Sequence, residues 1–200
     1  MTHVLPLRTG WDSDPDGPDE YPQDLPREWR LAYYANDFWG VLVPHGIWRE
    51  AGPAGAVAWV ADTPARFRFF LELDAGDRES GSTAVAAALG DRLGGLVGTA
   101  SALASAPEAG PSRLLRVATE PGQTVPLAGW GLAWEVPVPL TRDLRGARAW
   151  VEARVRGQGL PGVDATATPG AAPPILALLG ECRFEDLARW QAMLELMGLA

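Results

Sequence analysis

The side chains able to do chemistry fall at the ends of short apolar runs. Arg8, Thr9 and Trp11 follow Val4 to Leu7, His45 and Trp48 follow Val41 to Val43, and Glu72 and Asp74 end the run that starts at Phe67. Thr99, Glu120, Glu135 and Asp164 hold the same place after later runs. If the runs are parallel strands of a barrel, these ends gather at one mouth, where barrel active sites lie. An arginine, a histidine, carboxylates and tryptophans at a mouth could bind a polar or anionic small molecule. The ligand-binding candidates are therefore Arg8, Trp11, His45, Trp48, Glu72 and Glu120. Glu72 and Glu120 would make an acid/base pair if the fold brings them together. Trp11 and Trp48 could stack on a ligand, while most of the nine tryptophans are expected in the core or between helices. The same inventory also occurs on inert surfaces, and no catalytic residue is assigned.

Other constellations are thinner. His3, His45 and Cys182 lack the spacing of a metal site. The DSDPDG stretch from Asp12 begins like a calcium loop, with oxygens at alternate positions and Gly17 at the sharp turn. Its twelfth position is Gln23 rather than a bidentate glutamate, so a solvated acidic loop is the plainer reading. Cys182 stands just before a predicted helix, where a thiol can be activated; as a lone cysteine it also reads as a small buried apolar residue. No dinucleotide-binding or phosphate-binding glycine motif is present, and no cofactor is implied.

The elements that must position these residues alternate between strand and helix. Leu31, Tyr34, Ala35 and Phe38 form one helical stripe, and Gly40 breaks it before Val41-Leu42-Val43. A continuous apolar run of that kind suits a strand buried on both faces. Phe67 to Leu73, Leu96-Val97, Leu114 to Ala118, Leu132 to Val136 and Pro174 to Leu179 read as further strands, with a short one at Val163 to Thr168. The apolar run between Ala51 and Pro64 fits a strand or a short helix. Ser80 or Ser82 is placed to cap a helix running to Arg92. Thr141 is placed to cap one lined by Leu144, Ala147, Val151 and Val155 and ended by Gly157. A last helix from Phe184 carries Leu187, Trp190, Met193, Leu194 and Met197 on its apolar side. This alternation indicates an α/β fold with a mainly parallel sheet.

Five segments resemble the domain of unknown function 72 family, in order. Arg8 to Trp11 (RTGW) resembles the end of that family's first strand, and Tyr21-Pro22 the YP that follows. Tyr33-Tyr34-Ala35 with Phe38 resembles the approach to its second strand, and Thr63-Pro64 with Phe67 and Phe69 the start of its third. Leu89 to Val97 (LGDRLGGLV) is similar to the entry to its fourth. The likeness covers the first half of the chain well and the second half poorly. It implies a TIM-barrel-like domain spanning residues 1–200 and no settled activity. At the strand ends the chain departs from the family. A polar Glu and Asn become Leu42 and Pro44, a lysine becomes Glu72, and a Q-L-P-P segment becomes Thr99-Ala100-Ser101-Ala102. The family's strand-five Glu-x-Arg pattern is not recovered between Leu115 and Glu120.

With 200 residues, against about 250 for a complete eight-unit barrel, the expected barrel is compact or incomplete. A net charge of −8 gives no footprint for nucleic acid. All 17 basic residues are arginine, so lysine Schiff-base chemistry is excluded. The start of the sequence lacks signal-peptide character and no run suits a membrane span, so the expectation is a cytoplasmic protein with no membrane partner. Three functional readings follow. The first is a degenerate, non-catalytic barrel acting as a small-molecule-binding or interaction protein. The second is an enzyme on a polar or anionic small molecule at the mouth. The third is a homo-oligomer or protein partner engaged through an open sheet edge.

Overall fold

Seven apolar runs form strands in the computed structural model, which describes residues 3–12, 20–74, 80–105, 112–117, 130–157 and 175–200. They are β1 (Val4–Leu7), β2 (Gly40–Val43), β3 (Arg68–Glu72), β4 (Leu93–Gly98), β5 (Arg113–Val117), β6 (Gly131–Glu135) and β7 (Ile175–Leu178). Every pairing is parallel, and the order is β1-β7-β6-β5-β4-β3-β2. The two end strands meet just past β1. The Leu42 N–H donates to the Arg8 carbonyl at 3.0 Å, and the Gly10 N–H donates to the Leu42 carbonyl at 2.8 Å. The sheet is thus a nearly closed barrel, and the edge that an incomplete barrel would offer is paired over this stretch.

The helices are α1 (Arg30–Asp37), α2 (His45–Ala61), α3 (Ser80–Leu89), α4 (Ala100–Ala104), α5 (Val138–Arg142), α6 (Leu144–Gly157) and α7 (Phe184–Leu196). They cover the outward face of the strands. Leu31, Tyr34, Ala35 and Phe38 are all buried, as are Leu187, Trp190, Met193 and Leu194 of α7. Strands covered outside by helices and filled inside by side chains have no polar face, which is why their sequences read as unbroken apolar runs. The ambiguous run after Ala51 is helical, the second half of α2. Gly52 has φ 59°, and Pro53 follows, so the helix kinks there and restarts.

Two local expectations are corrected. Strand β4 begins at Leu93, ahead of Leu96, because a bulge between Phe69 and Phe70 admits one extra residue and lets Leu93 and Gly95 join the ladder. Thr141 is not a cap. It lies inside the short helix α5, its hydroxyl donates to the Val138 carbonyl at 2.8 Å, and Asp143 caps the next helix by accepting from the Gly146 N–H at 3.0 Å. The Val163 to Thr168 strand and residues 13–19 of the calcium-like loop lie outside the described residues. Asp12, the first residue of that loop, is ion-paired to Arg27 at 2.8 Å and Arg30 at 2.6 Å.

The barrel interior is packed solid. Leu7, Leu42, Phe70, Val97, Leu114, Ala133, Leu176 and Leu178 form one buried cluster, with Leu5 beside it. Phe70 is the largest of these, and its neighbours make room. A β-carbon at Gly94 would lie 2.4 Å from the Phe70 ring, and one at Gly40 would lie 2.8 Å from the Arg68 carbonyl oxygen and 3.4 Å from that ring. The glycines on the flanking strands are therefore part of the packing of one aromatic side chain.

Outside the barrel, beside the start of α7, lies a second buried assembly. Arg8 is 4% exposed, stands 3.2 Å from a Glu20 oxygen, and lies over the Phe184 ring at 4.8 Å. Glu20 in turn accepts the backbone N–H of Phe184 at the first turn of α7. Tyr34 donates to the Gly40 carbonyl at 3.1 Å. Burial pushes the Cys182 thiol from 9.0 up to about 12, so of its two readings the buried apolar residue describes this cysteine. Burial likewise raises the Tyr21 and Tyr34 hydroxyls above their ordinary range.

Two predictions follow from this packing. Phe70→Ala is expected to cost about 3–5 kcal/mol of stability, and Gly94→Ala about 1–3 kcal/mol by overpacking, both measured by urea unfolding. Combining Gly94→Ala with Phe70→Leu should cost less than the two changes summed; strict additivity would show that the ring and the glycine are not coupled. The second concerns alkaline pH. Cys182, Tyr21 and Tyr34 keep their protons in the folded state above the pH at which the unfolded chain loses them, so the unfolded state binds fewer protons there. Stability is then complete below about pH 9 and falls as pH rises toward 12, by at most about 1.4 kcal/mol per pH unit for each group. Cys182→Ala should flatten that fall; an unchanged slope would contradict the assignment.

Candidate functional site

Strand register decides which side chains reach the mouth. Residues two apart on a strand share a face, so the position after each interior residue, on its own side of the strand, is the next toward the C-terminal end. Stepping on from Phe70, Leu114 and Ala133 gives Glu72, Arg116 and Glu135. Stepping on from Leu7, Leu42, Val97 and Leu178 gives Thr9, Pro44, Thr99 and Gly180. The mouth is therefore asymmetric, with charges on β3, β5 and β6 and small or uncharged residues after β7, β1 and β2.

The charged side is a connected set. Arg116 sits between two carboxylates: its Nη1 donates to Glu72 Oε1, and its Nε lies 2.9 Å from Glu135 Oε1. Because β4 separates β3 from β5, the guanidinium reaches over β4 to make the Glu72 contact. Glu72 is fixed from another side as well. Its Oε2 accepts the backbone N–H of His45 at 3.4 Å, at the N-terminus of α2, and its backbone carbonyl accepts the Trp48 indole N–H at 2.8 Å. The positive end of a helix dipole and a guanidinium thus face the same carboxylate.

Of the sequence candidates, Glu72, His45 and the strand-end Glu135 stand together at this mouth. Trp48 is beside them but 1% exposed, a core residue whose indole anchors the strand-three carbonyl. The His45 ring packs edge-on against it, with centroids 5.1 Å apart. Arg8 does not join them: on β1 its neighbours Leu7 and Thr9 occupy the interior face, so Arg8 points outward into the assembly with Glu20 and Phe184. Trp11 also packs outside, edge-on against Trp59 at 5.2 Å. Glu120 and Asp164 lie outside the described residues. Asp74 is exposed one step past Leu73, and Thr99 caps α4 by accepting the Ala102 N–H at 3.3 Å.

Arg116 is the residue that sequence analysis does not single out. In Arg113-Leu114-Leu115-Arg116-Val117 the leucines dominate and the strand reads as apolar. Two-residue alternation from the interior Leu114 was the available signal, but which leucine faces inward depends on the neighbouring strands.

Among the described residues no group of three or more histidines, cysteines or carboxylates could hold a metal ion. Among the described residues no helix is long and apolar enough to cross a membrane. No protein-family model matches the chain, and neither a curated protein nor a solved structure does, so the chemistry of the mouth stands on its own geometry.

Proposed function

We propose that this chain is a small-molecule-binding barrel whose site is the mouth formed by Glu72, Arg116 and Glu135, and that it binds rather than turns over its ligand. The observation that carries the reading is the guanidinium held between two carboxylates from different strands above a solid apolar floor. A half-buried network of this kind recognises polar groups by charge and direction. The small residues across the mouth favour occupancy: a β-carbon at Gly180 would meet no atom within 4 Å. Binding is favoured over catalysis because the charged groups are committed to one another, with no nucleophile hydrogen-bonded to a base among the described mouth residues.

Divergent descent from the domain of unknown function 72 family belongs to the same proposal. Its support is positional: RTGW follows β1, Thr63-Pro64 precedes β3, and the LGDRLGG segment enters β4.

Native mass spectrometry of gently purified protein tests the reading. The wild type is expected to carry a copurified small molecule, and Arg116→Gln and Glu72→Gln are expected to lose it while keeping a wild-type circular dichroism spectrum. An empty wild type, or retention unchanged in both variants, would overturn a binding site at this mouth.

A further inference from the structure

The three charged side chains of the mouth are set against one another. Arg116 stands between Glu72 and Glu135. Glu72 uses one carboxylate oxygen on the guanidinium and the other on the His45 N–H, at the positive end of α2. The remaining positions of the same layer, Thr9, Pro44, Thr99 and Gly180, carry no charge, and two of them are hydroxyls. A carboxylate oxygen that already holds one N–H keeps a further lone pair, and a guanidinium donates along more than one edge. The mouth therefore offers a ligand directed donors and acceptors whose charges are already matched.

We infer that the ligand of this mouth is a neutral polyhydroxylated ring of the monosaccharide or cyclitol class, bound with the contacts of Arg116 to both glutamates in place. This inference rests on the mouth being a small-molecule site. A hydroxyl is donor and acceptor at once, so one can donate to Glu72 or Glu135 while its neighbour on the ring accepts from Arg116, and no ion pair has to open. A charged group does not fit in that way. An anion reaching Arg116 stands beside Glu72 and Glu135, and a cation reaching Glu72 stands beside Arg116 and the N-terminus of α2. Like charges at that range cost affinity and reject the wrong ligand. A ring of this class also has an apolar C–H face, and the rim has surface to match it: Ile47, 46% exposed in the first turn after β2, and Val138, 82% exposed at the start of α5 after β6. The uncharged half of the mouth leaves room, since a β-carbon at Gly46 or at Gly180 would meet no atom within 4 Å.

The test uses the full chain. Neutral hexoses, pentoses and cyclitols are screened singly by thermal shift, and the best is titrated calorimetrically beside analogues of the same ring that carry one carboxylate or one ammonium. The neutral ring is expected to bind at least about tenfold tighter than either charged analogue. Its affinity is expected to change by less than about twofold between about 0.1 M and about 1 M sodium chloride, because no charge is gained or lost in binding. Glu72→Gln takes a carboxylate from Arg116, so the acid should gain on the neutral ring. Arg116→Gln takes the guanidinium from Glu72 and Glu135, so the amine should gain on it, each ratio moving by at least about tenfold. Both variants are checked by circular dichroism. If a charged analogue binds tightest and both variants alter its affinity, the neutral class is overturned while a binding mouth survives. If no neutral ring shifts the melting temperature, or if neither ratio moves in the variants, the inference falls, and retention of a copurified molecule decides the mouth separately.

Discussion

Everything at the mouth depends on the ring closing, and the closure passes through the backbone of Leu42. Its N–H and carbonyl reach Arg8 and Gly10 just past the opposite end strand, converting an open parallel sheet into a ring without free edges over that stretch. Once the ring is closed, the interior volume is fixed and must be filled by side chains at near-crystalline density. Phe70 fills it, with Gly40 and Gly94 making space on the strands at either side. A barrel of seven strands is narrower than one of eight, and the filling here is a single aromatic ring among aliphatic residues.

That solid floor is what makes the polar layer above it informative. Below the mouth water has no place, so Glu72, Arg116 and Glu135 turn toward one another and toward the solvent at the opening. Their mutual attraction is strengthened by the apolar ground beneath them and by the helix terminus that faces Glu72. The outer layer carries its own buried ion pair, Arg8 with Glu20, which ties the loop after β1 to the start of α7. The two arginines show the same residue type put to different ends. Arg8 braces the outside of the barrel and is almost wholly covered. Arg116 lies at an opening, partly exposed, with Glu72 and Glu135 on either side of it.

Much of the fold is legible in the residues because strands buried on both faces and helices buried on one leave different periodicities. The stripe of Leu31, Tyr34, Ala35 and Phe38, the run at Val41 to Val43 and the apolar side of α7 all lie where their spacing puts them. The elements that resist reading are those fixed by partners. The early start of β4 depends on a bulge opposite Phe69 and Phe70, and the helix after Ala51 on a kink at Gly52 that no periodicity announces. Asp143 rather than Thr141 caps α6 because a separate short turn of helix intervenes.

The sequence by itself determined the class of fold and the fact that strand ends carry the chemistry, since hydrophobic period, breakers and alternation are local properties of the chain. It also named Glu72, His45 and Glu135. What only the tertiary structure decided is which side of each strand faces inward. A shift of one residue exchanges the two faces of a strand whose residues are all apolar, and the choice is made by contacts with neighbouring strands far away in the chain. That choice turned Arg8 and Trp11 outward, buried Trp48, and brought Arg116 and Glu135 over the floor of the barrel beside Glu72.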